Sequence, residues 1–354
     1  MKKLIDFIKH HQVIAFFVIT FTITWGLGFT FDAVMNQGKY LLAPLTFVAL
    51  CGPALAGIIV TGITDTQPLS EKGKASWIAF FVALCLVTLV FLANNTFINH
   101  APFSPLLTVF IMVSAIPVAF IFGAAYSRRP VVRNYLRSLV HIRGRNWWLL
   151  LALILVPGLN LLSITVSRLF GRPPIITFNL PATGLALTGL IIVKFLYQIF
   201  FFNLTGEEVG WRGFLLPRLQ ARTNPLVACL IMTFFWALWH LFLWQAEGQL
   251  VFNLQFWAEK FLTLFPATVA IHFIFNHSKG SILVAGVTHA AANTAFAFMP
   301  NLDWPIHTAT MYAFALVVVV VDQMWKKLPT DHPAIHQTPL LDAGRRMPIG
   351  NSQL

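Results

Sequence analysis

The stretch ATGLALTGLIIVKFLYQIFFFNLTGEEVGWRGFLLPRL (182–219) decides how the chain is built. It opens as an apolar run long enough to cross a bilayer, over about 182–205. Two carboxylates, Glu207 and Glu208, and a guanidinium, Arg212, then follow without a turn signal. Only 12 of the 354 residues are acidic, and two of them stand here side by side. Either the helix ends near residue 205 and the acids are solvated, or it runs on to about Leu219 and carries them into the membrane.

The surroundings favour a membrane setting. Hydrophobic residues make up 57% of the chain and charged ones 10%, with a mean hydropathy of +0.74. Runs of ~20 apolar residues span a hydrocarbon core as helices, and in lipid a helix satisfies its own backbone where an open sheet cannot. Ten such runs lie at about 13–33, 40–63, 76–95, 103–126, 147–167, 182–205, 225–244, 259–276, 281–299 and 306–322. The expectation is an all-α polytopic membrane bundle of about ten transmembrane helices.

The net charge of +12 does not imply nucleic-acid binding, because the basic residues flank the apolar runs instead of forming a polar domain. With alternating helices, nineteen Lys and Arg fall on the side of the N-terminus, six of them within 128–145. Only Lys39, Arg168, Arg172 and Lys260 fall on the other. This bias places both termini in the cytoplasm, with the cell membrane as the expected location.

The N-terminal apolar run is too long for a signal peptide and reads as the first membrane helix. Cys51, Cys85 and Cys229 are isolated within spans and read as packing residues. The basic segment 127–146 is expected on the inner leaflet, held by anionic lipid. The proline-bearing tail from Lys326 is expected to be flexible.

Ionisable side chains at membrane depth cost roughly 2.5–3.5 kcal/mol each on insertion scales. Here they are Lys194, Glu207, Glu208, Arg212, His240, His272 and His289, with Asn293 beside the last. Glu208 and Arg212 are i and i+4, as are His289 and Asn293, so each pair shares a helix face. His240 ends FFWALWH, one turn after Trp236. Three helices, the sixth, seventh and ninth, thus each offer polar groups of the kinds a hydrolytic site uses. A carboxylate can take a proton from water, an amide or guanidinium can hold an oxyanion, and two histidines with a glutamate are a common zinc set. His272 reads as a structural histidine, and Lys194 as a snorkelling or charge-neutralising side chain.

Geometry then chooses between the two readings of 182–219. His240 lies fifteen residues past Pro225, about 22 Å up an upright helix. It cannot meet a glutamate left at the membrane surface. Either the sixth helix continues through Glu208 to about Leu219, over thirty residues in all, with Pro217 kinking it near the inner surface, or the seventh helix starts late and tilts; the first is the expectation here. The site is expected in a water-filled cavity opening inward beside Arg218 and Arg222.

Glu207-Glu208-Val-Gly-Trp-Arg212, Trp236-Ala-Leu-Trp-His240 and His289-Ala-Ala-Ala-Asn293 occur in order. In that order they resemble the CPBP family of intramembrane proteases, which includes the type II CAAX prenyl endopeptidases and the bacteriocin-processing and self-immunity proteins. The resemblance covers about 185–300. It implies a protease core over 181–305, preceded by a five-helix region (1–180) of unknown role. A last membrane helix (306–325) and the tail (326–354) follow.

By the resemblance Glu207 activates water with His240 as partner, and Glu208 orients Arg212. His289 and Asn293 hold the oxyanion or a metal. Glu207, His240 and His289 are the expected ligands if one zinc ion is bound; a water activated by glutamate and histidine alone is the other form of the chemistry. One position departs from the pattern: Trp236 stands where the family usually has Phe. The expected partners are the bilayer and a peptide or membrane-protein substrate, prenylated or leader-bearing, with no nucleic acid. The rival functions are a non-proteolytic scaffold or immunity protein and, further off, a transporter.

Overall fold

The structure is a computed structural model that describes residues 2–70, 73–140, 145–172, 184–249, 253–299 and 302–335. Among these residues there are helices and no strands. In chain order they are α1 (Lys2–His10), α2 (Gln12–Met35), α3 (Tyr40–Leu50), α4 (Gly52–Thr64), α5 (Lys74–Phe97), α6 (Pro105–Ala124) and α7 (Pro130–Val140). There follow α8 (Trp147–Leu169), α9 (Leu185–Gln220), α10 (Pro225–Ala246), α11 (Leu254–His277), α12 (Ile282–Phe298) and α13 (Trp304–Val321).

The chain is an integral, multi-pass membrane protein. Eight helices are each long and apolar enough to cross a membrane, and α3 with α4 forms a ninth span bent by 53° at Cys51. The tenth expected run is α12, whose 17 residues make it shorter than the others. It sits inside the bundle, buried along most of its length, so it has no lipid thickness to match.

The two ends of the bundle are tied by contacts between loops. At one end Arg218 Nε donates to Gln12 (2.9 Å), Leu226 N to the Met324 carbonyl (3.0 Å), and His277 meets Asp322 (2.8 Å). At the other, Asn36 Nδ2 donates to the Ala246 carbonyl (2.7 Å) and Arg172 faces Asp303 (3.8 Å). The first end carries most of the basic residues.

α9 is one unbroken helix of 36 residues, the preferred of the two arrangements that would let His240 meet the acids. Gln198–Glu208 and Trp211–Leu215 are wound as π-helix, a geometry that collects at functional sites. Pro217 produces no break. It sits where the π turn hands over to the last α turn, Leu216–Gln220, so its missing N–H interrupts no regular ladder.

The N-terminal helices wall this helix. A Cβ on Gly210 would lie 2.3 Å from the Pro53 carbonyl carbon, and one on Gly286 of α12 would lie 2.5 Å from Leu204. The backbones of α4, α9 and α12 therefore approach as only glycine permits. Phe16 of α2 stacks on Phe214 at 5.1 Å and meets Trp211 edge-on at 5.6 Å. One buried apolar cluster includes Phe16, Leu50, Ala54, Leu204, Phe214, Phe275 and Val284, so residues from before and after 180 share a core.

Two expectations change. The basic segment holds α7, whose Val132, Tyr135, Leu136 and Leu139 are buried against protein, so its apolar face is taken up by the bundle and not by lipid. Tyr135 reaches the Val209 carbonyl of α9 and bonds it at 2.5 Å. After Lys326 the chain stays against the bundle as far as Ile335, where Ala334 and Ile335 are buried. Residues 141–144 of the basic segment and 336–354 of the tail lie outside the described residues.

Gly210→Ala should destabilise the protein by about 1–3 kcal/mol, because the atoms that the new methyl meets are backbone. Thermal unfolding in detergent, compared with Gly158→Ala, where a Cβ meets nothing within 4 Å, checks this.

Candidate active site

Glu207 and Glu208 point to different partners, as adjacent helical residues must. Glu208 is fully buried. Its Oε1 accepts from Arg212 Nη1 at 2.8 Å and from His289 Nδ1 at 2.8 Å. The i, i+4 pair expected on α9 is thus formed, and it reaches across to α12. The Arg212 guanidinium lies 5.0 Å from the centre of the Trp236 ring, where the π face offsets part of its desolvation. Charges at this depth persist only when paired and hydrogen-bonded.

Glu207 takes a different bond: Trp236 Nε1 donates to its Oε2 at 2.6 Å. A phenylalanine in the Trp236 place has no N–H to give, so the departure from the family pattern is the residue that fixes Glu207. The same indole meets His240 (5.4 Å) and His289 (5.3 Å) edge-on. One side chain therefore touches the polar groups of all three helices.

His240 stands at the break of α10 between Trp239 and Leu241, with Nδ1 2.7 Å from the Trp236 carbonyl. A carbonyl only accepts, so Nδ1 carries the proton and Nε2 keeps the lone pair. Its ring stacks on Trp244 at 5.3 Å. Trp239, beside it, donates to Thr24 of α2 (2.9 Å), which donates to the Ala49 carbonyl (2.9 Å). His289 is tied in the same sense: its Nδ1 donates to Glu208, leaving Nε2 for other partners.

Glu207, His240, His289 and Asn293 line one cavity of about 890 Å³. The rest of its wall includes Lys260, Ile271, Phe296, Trp304, His307 and Met311. Glu208 and Arg212 do not line it; they reach it through His289 and Trp236. His272 is fully buried and Lys194 lies on α9 with its amine 5.5 Å from the Tyr197 ring centre; neither lines the cavity. Arg218 and Arg222 are not in its wall either. Arg218 is buried, bonded to Gln12 and the Phe214 carbonyl, and packed on the Phe214 ring at 3.5 Å. The cavity wall runs instead past Lys260 of α11 and Trp304 of α13. The mouth expected beside Arg218 and Arg222 is not formed there: neither residue lines the cavity, and Arg218 packs on Phe214 instead.

Glu207, His240 and His289 have the donor chemistry of a zinc set. Their spacing does not make a ligand sphere: among the described residues no three His, Cys, Asp or Glu side chains are gathered closely enough to hold a metal ion. Trp236, Lys260, His307 and the Tyr135–Val209 bond were not among the site residues expected. Only the tryptophan left a trace in the sequence, as a break in a motif.

Removing Arg212 as Arg212→Met should cost about 3–5 kcal/mol, since the Glu208 charge then stays buried with one partner fewer. Adding Glu208→Gln should restore much of that loss. Denaturation midpoints of the two variants in detergent test the pair.

A family model described as type II CAAX prenyl endopeptidase Rce1-like matches residues 188–295. CAAX prenyl protease 2 of Methanococcus maripaludis is 24% identical over 256 residues, which cover 69% of this chain and 93% of that protein. That alignment is longer than everything from Leu185 to the C-terminus, so it takes in helices of the first half that the motifs alone left outside. Through the helices that carry Glu207, His240 and His289, the chain is similar to the Rce1-like family of membrane-bound CAAX peptidases, the family its motifs resemble.

Proposed function

We propose that this protein is an intramembrane endopeptidase in which Glu207 activates the attacking water. The observation that carries the reading is the convergence of Glu207, His240, His289 and Asn293 on one cavity at membrane depth. The family match supports peptide hydrolysis in particular.

Each residue has a distinct task. A water seated between Glu207 and the His240 lone pair gives its proton to the carboxylate as its oxygen attacks the peptide carbonyl. Glu207 then returns the proton to the leaving amine. The Asn293 amide donates to the developing oxyanion; His289, held by Glu208 through Nδ1, joins it only as an imidazolium, whose Nε2 then also carries a proton. Trp236 holds the Glu207 carboxylate in place, and Arg212 balances Glu208. No step is routed through a metal, because the three candidate ligands are not arranged as a set.

The substrate is a peptide segment without helix, since the scissile backbone has to reach the carboxylate. Tails, leaders and locally unwound membrane segments all meet this condition. Both termini are assigned to the cytoplasmic side of the cell membrane, a reading supported by the gathering of basic residues at one end of the bundle.

Glu207→Gln should lower cleavage by about 10²–10⁴-fold in nanodiscs against prenylated and leader-type peptides, while the protein keeps its melting temperature. Unchanged cleavage would remove Glu207 from the mechanism, and a wild type that cuts no such peptide while binding a partner would favour the scaffold. Trp236→Phe keeps the ring and deletes the N–H. It should lower kcat by about ten- to a hundredfold, the worth of a hydrogen bond to a charged group, with little change in KM. Cleavage should persist in excess chelator; a loss restored by zinc and abolished in His240→Ala/His289→Ala would put these histidines on a metal.

A further inference from the structure

We propose that the basic pocket where the start of α5 meets the connection between α6 and α7 binds the phosphate headgroup of an anionic phospholipid. It is a second site, separate from the cavity of Glu207, and it holds whether or not the chain cuts peptides. Three observations carry it.

The first is charge. The pocket has a volume of about 550 Å³, and its wall carries Lys74 of α5 with Arg128 and Arg129 before α7. All three are exposed. The described residues of the wall include no acid, and none of the three cations pairs with a described carboxylate. Three unmatched cations around one hollow repel each other until an anion enters.

The second is that the hollow is built. Ser70 N donates to the Arg128 carbonyl (2.8 Å), and Arg128 Nε donates back to the Ser70 carbonyl (3.0 Å). Ser76 Oγ donates to the Gly123 carbonyl (2.8 Å), and Arg129 Nη1 to the Gly62 carbonyl (3.2 Å). These bonds fix the walls relative to each other. The bond through Nε leaves both Nη groups of Arg128 for a ligand, and a guanidinium fork matches phosphate oxygens. The first turn of α5 adds its backbone N–H groups, which Gly73 caps with no side chain, and helix N-termini favour phosphate.

The third is what adjoins the hollow. Trp77, Ile78, Phe81 and Val82 follow Lys74 along α5, and each is more than half exposed. On a membrane-spanning helix such a face meets acyl chains. Cations and lipid-facing surface are therefore continuous, with the Trp77 indole in both the pocket wall and the apolar face, a boundary position that tryptophan favours. This is the outline of an amphiphile: phosphate among Lys74, Arg128 and Arg129, and chains along α5. A free phosphate ion uses only half of it, and a zwitterionic headgroup brings a cation of its own to three others. The lipid contact expected of segment 127–146 is thereby narrowed to its first residues, while the apolar face of α7 stays with the bundle.

Native mass spectrometry of protein released from vesicles of equal parts phosphatidylglycerol and phosphatidylcholine tests this. The wild type should retain phosphatidylglycerol in preference. Lys74→Gln should lower that retention about fivefold and Lys74→Gln/Arg128→Gln about thirtyfold, the worth of one and of two basic residues at an anionic surface. Lys74 makes no side-chain bond to the described residues, so the single variant should keep the wild-type melting temperature. Arg137→Gln, exposed on α7 outside the pocket, should change nothing. Equal retention of the two lipids by the wild type, or a loss in Arg137→Gln as large as in Lys74→Gln, overturns the proposal. So does release of the lipid by excess inorganic phosphate, which would make the pocket a site for the free ion.

Discussion

The Glu208 carboxylate is the constraint around which the centre of this protein is arranged. A bare charge in a membrane-embedded core is too costly to keep, so its donors have to be supplied by structure. Arg212 comes from the next turn of the same helix and His289 from a neighbouring one, both at 2.8 Å. That pairing forces α9 to stay helical past the acids and pins α12 against it. The orientation of His289 toward the cavity follows from the same bond. Glu208 thus shapes the site without touching a substrate.

Bringing three helices to one point demands close backbones. The glycines of α9 and α12 meet Pro53 and Leu204 with no room for a Cβ, and the wider π turns of α9 set the rotation at which Glu207 and Glu208 leave the helix. The helices before residue 180 serve this arrangement. Phe16, Thr24, Leu50 and Pro53 each lie against a residue of α9 or α10. They pack as a scaffold around the site helices, and the alignment to a CAAX protease extends into the first half of the chain.

Trp236 illustrates how a motif departure acquires meaning only in three dimensions. As a letter, it keeps an aromatic residue and costs nothing. In space, its N–H lies 2.6 Å from Glu207, its π face takes Arg212, and its edges meet two histidines. The zinc expectation shows the opposite case. Residue types matched a ligand set, but their separation depends on helix packing that residue types do not encode.

The sequence by itself determined the apolar runs and the i, i+4 pairing of Glu208 with Arg212, and it favoured a passage of α9 beyond its acids over a late, tilted start of α10. These follow from hydropathy, helix periodicity and the rise per residue, all of which are local. Tertiary structure alone decided that Glu208 binds His289, that Trp236 binds Glu207, that the apolar face of α7 meets protein instead of lipid, and which side chains share the cavity wall. Each of these depends on which helix faces which. That is set by close packing among side chains and glycine backbones far apart in the chain, and no pattern along one helix contains it.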